Sequence, residues 1–152
     1  MSEAQALAVA AAVAPASAPS PAALPLVPSC VAVVGLGYVG LPTALALHDA
    51  GADVIGIDVS ERRLQAIRTH EVDLATGDVA RLRDALDGER LRLSSIPAAI
   101  AAADAVIVCV PTPVDAQRRP DPRALRAACA SAVEHARPGQ ALVLTSTTSV
   151  GS

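Results

Sequence analysis

The chain has 152 residues, with 12 basic against 15 acidic side chains and a formal net charge of −3, so it lacks the basic excess of a typical nucleic-acid-binding protein. It contains one Tyr and no Phe or Trp, which removes the aromatic platform on which single-stranded bases stack. No apolar run approaches the roughly 20 residues that span a bilayer. We therefore expect a soluble protein with no nucleic-acid partner and no membrane partner.

Residues 1–29 differ in composition from the rest and consist almost entirely of Ala, Pro, Ser, Val and Leu. A cleaved secretory signal is one interpretation, because Ala16-Ser17-Ala18 resembles a cleavage site. The segment carries Glu3 and no positive side chain, however, which argues against a signal. We expect a disordered Ala/Pro-rich tail over residues 1–29 and a single domain over residues 30–152.

From Cys30 onward, short apolar runs alternate with amphipathic stretches. Continuous, β-branched runs are typical of strands that are buried on both faces of a sheet. The run at 90–93 is more polar and predicts a partly exposed strand. The predicted strands cover residues 31–34, 54–57, 90–93, 105–110 and 141–144.

Three helices are predicted before residue 90. The first covers residues 38–50, and Gly51 is placed to end it. The second begins after Ser60, whose side chain can cap it. The third begins after a cap at Asp78 and ends at Gly88.

Two more helices are predicted after residue 90. Apolar residues between 96 and 103 keep the i, i+3, i+4, i+7 spacing of an amphipathic helix. The clearest helix covers residues 122–136, with Asp121 as its N-cap and Pro122 at its first position. Strands separated by helices imply right-handed crossovers, so we predict an α/β fold: a Rossmann-like, doubly wound parallel sheet in a single domain.

A glycine-rich turn, GLGYVG at residues 35–40, follows the first predicted strand and opens the first predicted helix. In such a turn Gly35 allows the tight bend, Gly37 lets the backbone approach a diphosphate, and Gly40 lets the helix pack closely on the strand. Asp58 ends the second predicted strand, 18 residues after Gly40, where a carboxylate can bind the adenosine ribose. These features together predict a dinucleotide-binding site.

Asp58 also bears on the choice of cofactor. A carboxylate at this position would repel a 2′-phosphate, which favours NAD over NADP. Arg62 and Arg63 lie close by in the sequence and leave NADP as an alternative, although both fit the exposed first turn of the next helix.

Three motifs carry a resemblance to a known family. Residues 33–42 (VVGLGYVGLP), residues 110–113 (VPTP) and the Ser146-Thr147 pair followed by Gly151 resemble the UDP-glucose/GDP-mannose dehydrogenase family over its N-terminal NAD-binding domain. Leu36 and Pro42 resemble the family's UDP-N-acetylhexosamine dehydrogenases more than its UDP-glucose enzymes. The chain departs from the family at Thr145, where many members carry a charged residue, and at Val150, where proline is common.

The resemblance, taken with the turn, predicts the residues that contact the cofactor. Thr112 and Thr147 follow the ends of the fourth and fifth predicted strands, where parallel sheets bind their ligands, so their hydroxyls could face the nicotinamide half of NAD. An ordinary turn at Thr112 is the alternative. The predicted cofactor-binding residues are Gly35, Gly37, Tyr38, Val39, Gly40, Asp58, Arg63, Thr112 and Thr147.

The resemblance further implies oxidation of the primary alcohol of a UDP-sugar to a carboxylate in two NAD-dependent steps, by a cysteine nucleophile and a lysine in later regions of the family's chain. This sequence contains no lysine, and Cys109 and Cys129 fall in a predicted buried strand and on an apolar helix stripe. We therefore expect no catalytic residue and no metal ligand here, and a homodimer only through regions beyond this sequence.

Three widely spaced cysteines without a CxxC pair fit a reduced compartment, so we expect a cytoplasmic protein. Three functional interpretations follow. The chain is the cofactor-binding part of a nucleotide-sugar dehydrogenase and cannot catalyse alone, or it is a stand-alone NAD-binding module with a sensing or regulatory role. The third is a different β-hydroxyacid-type dehydrogenase, against which the VPTP motif argues.

Overall fold

A computed structural model of the chain describes residues 28–112 and 121–145. The predicted tail lies outside the described residues except for residues 28 and 29. Thr147 lies outside them too. Within the described ranges, none of the helices combines the length and the apolar character that crossing a membrane requires.

Five parallel strands form one sheet in the order β3-β2-β1-β4-β5, with β1 at its centre. In the central register, Val33 of β1 lies beside Gly56 of β2 and Ile107 of β4. The predicted doubly wound parallel sheet is confirmed, although the fourth strand ends two residues earlier than the predicted 105–110. The strands are β1 (Cys30–Val34), β2 (Asp53–Ile57), β3 (Leu91–Ser94), β4 (Ala105–Val108) and β5 (Ala141–Leu144).

Helices cover both faces of the sheet. Val31 and Val33 of β1 point into one apolar core with α1, α2 and α3, while Ala32 points into a second core with a 3-10 helix and α4. This alternation follows from the two-residue period of a strand. The helices are α1 (Gly40–Asp49), α2 (Glu61–Arg68), α3 (Thr76–Asp87), the 3-10 helix (Pro97–Ala102) and α4 (Arg123–His135).

The helix boundaries agree with the sequence at some ends and differ at others. Gly51 follows α1 with a φ of +95°, in the left-handed region that favours glycine, as expected of a residue that ends a helix. Ser60 caps α2 as predicted, since its hydroxyl accepts the N–H of Arg63 at 3.2 Å.

The prediction for the start of α3 is wrong. The helix begins at Thr76, so Asp78 lies in its first turn, where the positive end of the helix favours an acid, and its carboxylate pairs with Arg81. The predicted cap of α4 is displaced by one residue, because Pro122 occupies the cap position. The Asp121 carboxylate still accepts the N–H of Arg123 at 3.1 Å.

The predicted amphipathic helix over residues 96–103 is a 3-10 helix. Pro97 begins it, and tight i→i+3 hydrogen bonds run from the N–H of Ala99 to the carbonyl of Ile96 and from Ala103 to Ile100. At six residues this 3-10 helix is longer than most, because runs of more than about three or four residues are uncommon. Ile96 lies before the helix and is 64% exposed.

The prediction that β5 is buried on both faces is also wrong. All four residues of β5 are exposed, and Val133 on the predicted apolar stripe of α4 is exposed as well. The physical reason is the position of the strand: β5 is at the edge of the sheet, with β4 as its one strand partner among the described residues. Its β-branched and apolar composition therefore does not report burial.

Candidate cofactor site

The turn between β1 and α1 requires glycine at its two ends. Gly35 has a φ of +89°, and a side chain there would meet the carbonyl oxygen of Cys109 at 3.0 Å. A β-carbon on Gly40 would lie on top of the Gly35 carbonyl oxygen and 3.2 Å from Cys109 Cβ. These two glycines therefore close the turn on itself and on the end of β4.

Gly37 has a different environment. A β-carbon there would meet no atom within 4 Å, and the residue's φ lies outside the left-handed region, so the space over it is open. Among the residues that the structure describes, none accepts a hydrogen bond from the N–H of Gly37, Tyr38 or Val39. No acidic residue lies in the first turn of α1 either. The tip of the turn thus offers free donors and a positive helix end, an arrangement that binds anions.

The turn opens into a cleft of about 770 Å³ at the carboxyl ends of the strands. On its far side lie small residues of α4, which leave room for a flat ligand: Ala124, Ala127, Ala128 and Ser131. Gly40 is not in the lining, because it packs beneath the turn. The predicted cofactor-binding residues that line the cleft are Gly35, Gly37, Tyr38, Val39, Asp58, Arg63 and Thr112.

The Asp58 carboxylate connects the turn to the next helix. Its Oδ2 accepts the N–H of Leu36 at 2.9 Å, and its Oδ1 accepts the N–H of Ser60 at 2.9 Å. Each carboxylate oxygen has two lone pairs, so both oxygens keep acceptor capacity toward the cleft. Asp58 can therefore bind ribose hydroxyls while it holds the protein backbone.

Arg63 reaches the same turn from the first part of α2. Its Nε donates to the carbonyl oxygen of Leu36 at 2.8 Å, and the side chain is partly buried. Arg62 is exposed, and no hydrogen bond or ion pair joins its side chain to the described part of the chain. The two neighbouring arginines, alike in sequence, have different environments.

The ends of β4 and β5 form the other half of the cleft. Pro111, Thr112 and Thr145 line it, and Cys109 is buried directly after β4 and not within it. The Thr145 hydroxyl donates to the Val108 carbonyl at 3.1 Å and lies 3.2 Å from Cys109 Sγ. Thr145, one of the two positions at which the chain departs from the family pattern, thus donates a hydrogen bond to the end of β4.

Two features of the site were not predicted from the sequence. Leu36 is fully buried beneath the turn, and a β-carbon at Gly56 would lie 3.0 Å from Leu36 Cδ1. A glycine in the middle of an apolar strand was the available signal, since it often marks a close approach. The small residues of α4 that line the cleft were also missed, although they recur at helical spacing.

The three cysteines are free, and no group of three or more His, Cys, Asp or Glu side chains that could hold a metal ion occurs within residues 28–112 and 121–145. The described polar groups of the site are backbone N–H groups, the Asp58 carboxylate, the Arg63 guanidinium and hydroxyls. This donor set fits the diphosphate and ribose of a dinucleotide.

Comparison with known proteins agrees with this geometry. The UDP-N-acetyl-D-mannosamine dehydrogenase of Escherichia coli K12 is 35% identical over 123 residues, which are 80% of this chain and 29% of that protein. The enzyme of the same name from Methanocaldococcus jannaschii is 35% identical over 130 residues, again 80% and 29% of the two chains. The solved UDP-D-ManNAc dehydrogenase of Pyrococcus horikoshii superimposes with a TM-score of 0.73 at 28% identity, covering 80% and 29%.

The chain therefore spans about 29% of the length of these relatives. The model of the UDP-glucose/GDP-mannose dehydrogenase family, NAD binding domain, matches residues 29–152. The chain belongs to the UDP-glucose/GDP-mannose dehydrogenase family, of which it carries the NAD-binding domain.

Proposed function

We propose that the cleft binds NAD for a nucleotide-sugar 6-dehydrogenase, which oxidises the primary alcohol of a UDP-sugar to the uronate. NAD, when bound, would accept the hydride, and the residues of this domain would bind and orient the cofactor. The single observation that carries the proposal is the turn itself. Two glycines that cannot bear a side chain flank a third, Gly37, over which the space is open and beside which N–H groups are free.

The proposed orientation follows from the chemistry of each part of the cleft. The diphosphate accepts hydrogen bonds from the N–H groups at residues 37–39, at the positive end of α1, whose first turn carries no acidic residue. The adenosine ribose binds Asp58. The nicotinamide half then lies toward Thr112 and, by the family resemblance, toward Thr147, which is outside the described residues.

Asp58 supports NAD over NADP in this proposal. Both carboxylate oxygens accept backbone N–H bonds, which hold the carboxylate next to the ribose position. A 2′-phosphate there would meet a like charge. Arg62 is exposed and does not line the cleft, and the Nε of Arg63, which does line it, donates to the Leu36 carbonyl.

The substrate class is proposed from sequence likeness. Leu36 and Pro42 resemble the UDP-N-acetylhexosamine branch, and the relatives from E. coli and M. jannaschii carry the name UDP-N-acetyl-D-mannosamine dehydrogenase. We propose a UDP-N-acetylhexosamine as the sugar nucleotide of the complete enzyme, in the cytoplasm. The chain alone binds NAD and turns no substrate over, because the sequence contains no lysine and its cysteines are placed as core residues.

Titration with NADH, followed by the change in its fluorescence, tests the proposal. Gly37→Val fills the open space where the diphosphate would lie and should weaken NADH binding more than tenfold, since it removes several charge-assisted hydrogen bonds. Gly77→Val is a matched control, because Gly77 lies in α3 and also has nothing within 4 Å. Equal affinity of Gly37→Val and the unaltered chain would refute the proposed site.

A second arm tests the role of Asp58. Asp58→Ala should weaken NADH binding and narrow the preference for NADH over NADPH, because the like charge is gone. A preference that stays unchanged would contradict the ribose role while leaving the diphosphate site intact.

A further inference from the structure

Three independent contacts fix Leu36, the second residue of the turn. Its side chain is fully buried over Gly56, its N–H donates to Asp58 at 2.9 Å, and its carbonyl accepts from Arg63 Nε at 2.8 Å. We refer to the set of Leu36, Asp58 and Arg63 as the Leu36 clamp. Both polar members come from the unit β2-α2, so the clamp joins two separate parts of the chain.

The charged groups of the clamp act on the turn and not on each other. Asp58 and Arg63 are both described in full, yet no ion pair within 4.0 Å joins them. Instead, the Asp58 carboxylate accepts the N–H of Leu36, and the Arg63 guanidinium donates to the carbonyl of the same residue. A carboxylate on an N–H and a guanidinium on a carbonyl are charge-assisted hydrogen bonds, which are about twice as strong as neutral ones.

The residues that follow the clamp have the opposite character. Gly37 has open space over it, and Tyr38 is 81% exposed. The N–H groups of residues 37–39 have no acceptor among the described residues, although α1 holds two neighbouring carbonyls: that of Gly37 accepts the N–H of Leu41 at 3.2 Å, and that of Val39 accepts the N–H of Thr43 at 3.0 Å. Their orientation must be imposed from Leu36 on one side and from α1 on the other.

We propose that Arg63 is a positioning residue, which acts through Leu36 to hold the turn in its cofactor-binding conformation before NAD arrives. The expected effect on NAD affinity rests on the proposed function, whereas the expected effect of Arg63 on the conformation of the turn does not. Loss of the Arg63 bond leaves the Leu36 carbonyl without its charged partner and lets the turn sample other conformations. The apparent affinity for NAD is then reduced in proportion to the fraction of molecules whose turn remains in the binding conformation.

The prediction differs from that of a direct contact between Arg63 and the cofactor. A direct contact with a phosphate is mainly a matter of charge, so lysine would preserve much of it. A positioning contact needs the Nε–H of arginine at the Leu36 carbonyl, which lysine lacks. Arg63→Lys therefore separates the two roles, and Arg63→Met removes charge and donor while keeping an unbranched stem.

The first measurement needs no cofactor. Amide hydrogen exchange of Leu36, followed by NMR on the full chain, reports how often its N–H leaves Asp58. We expect exchange at Leu36 about tenfold faster in Arg63→Met and in Arg63→Lys than in the unaltered chain. Arg62→Met, which loses the same charge one residue away, should match the unaltered chain.

The second measurement is the NADH titration on the same variants. Affinity should fall about tenfold in both Arg63 variants and stay unchanged in Arg62→Met. Thermal unfolding of each variant ensures that a loss reflects the turn and not the fold. If Arg63→Lys binds NADH as the unaltered chain does, or if Leu36 exchange is unchanged in Arg63→Met, the positioning role is overturned.

Failure of the two proposals can be told apart. If the unaltered chain does not bind NADH, the proposed function is refuted, irrespective of the results for the Arg63 variants. If the unaltered chain binds NADH but the amide exchange rate of Leu36 is the same in the Arg63 variants, the positioning role alone is refuted.

Discussion

Leu36 lies over Gly56 so closely that one added methyl group on the strand would be 3.0 Å from Leu36 Cδ1. The same group would be 3.0 Å from Leu93 Cδ2, on the other side. Gly56 is central in β2 and pairs with Val33 of β1. Because Gly56 has no side chain, β2 leaves space for the buried side chain of Leu36 from the cofactor turn.

Gly56→Ala should lower both stability and cofactor affinity. The added methyl group overfills a packed core, at a cost of roughly 1–3 kcal/mol, of which alanine's smaller entropy loss returns about 0.5–1 kcal/mol. Urea unfolding followed by circular dichroism measures the first effect, and NADH titration the second. Gly77→Ala, in the open at the start of α3, is the control and should stabilise the chain by about 0.5–1 kcal/mol. A stabilised Gly56→Ala would show that Leu36 can move aside.

The glycine turn, the Ser60 cap and the place of Asp58 at the end of β2 could be predicted from the sequence because each is local, whereas the ribose role of Asp58 stays a prediction. A positive φ, a helix cap and a strand-end acid are each specified within a few residues. The contact of Arg63 with Leu36 could not be predicted, because Arg62 and Arg63 differ only in which way α2 turns them. The prediction that β5 is buried was wrong for a similar reason, because the composition of a strand does not reveal that it lies at the edge of the sheet.

Two residues that follow helices have left-handed backbones, and their substitutions should act in opposite directions. Gly51, after α1, has a φ of +95° in open space, so Gly51→Ala adds backbone strain of about 1–2 kcal/mol and no clash. His70, after α2, has a φ of +60°, so His70→Gly relieves a similar strain, less about 0.5–1 kcal/mol of added chain entropy.

Urea unfolding of both variants checks the pair. We expect Gly51→Ala to unfold at lower urea than the unaltered chain and His70→Gly at higher urea. A loss of stability in His70→Gly would mean that its imidazole makes a contribution larger than the backbone strain.

Two side chains donate to the end of the 3-10 helix: the Arg137 guanidinium binds the carbonyls of Ala101 and Ala103, and the Gln140 amide binds an overlapping pair. Its Nε2 donates to the carbonyl of Ile100 at 3.0 Å and to that of Ala103, while its Oε1 accepts the N–H of Arg137 at 2.6 Å. Gln140→Glu keeps the shape and replaces the donor by an anionic oxygen facing two carbonyls. At neutral pH this should destabilise the chain by about 1–3 kcal/mol.

The loss in Gln140→Glu should shrink in acid, because a protonated carboxyl can again donate to a carbonyl. Unfolding curves at pH 7 and pH 4 measure this recovery. Gln65→Glu, on the exposed side of α2, is the matched control and should change stability little at either pH. A Gln140→Glu variant as stable as Gln65→Glu at pH 7 would show that Arg137, which already donates to the Ala103 carbonyl at 3.1 Å, compensates for the lost donor.

The start of α4 should be sensitive to acid through Asp121. Hydrogen bonds from the Arg123 side chain, with a further one from its backbone N–H, lower the pKa of the Asp121 carboxyl from its ordinary 3.8 to about 2. A carboxyl whose pKa is depressed by folding stabilises the folded chain above its unfolded pKa, and that contribution is lost as pH falls through the folded value. The window is therefore between about pH 4 and pH 2.

Carboxyl chemical shifts of Asp121, followed by NMR as the pH falls, measure this pKa directly. Arg123→Gln should return it toward 3.8, and added salt should move it in the same direction, because the pair is at the surface and is screened. Asp121→Asn should remove the part of the stability change between pH 4 and pH 2 that belongs to this pair. A pKa near 3.8 in the unaltered chain would mean that Arg123 does not hold the carboxylate in solution, and that the first turn of α4 is capped by water instead.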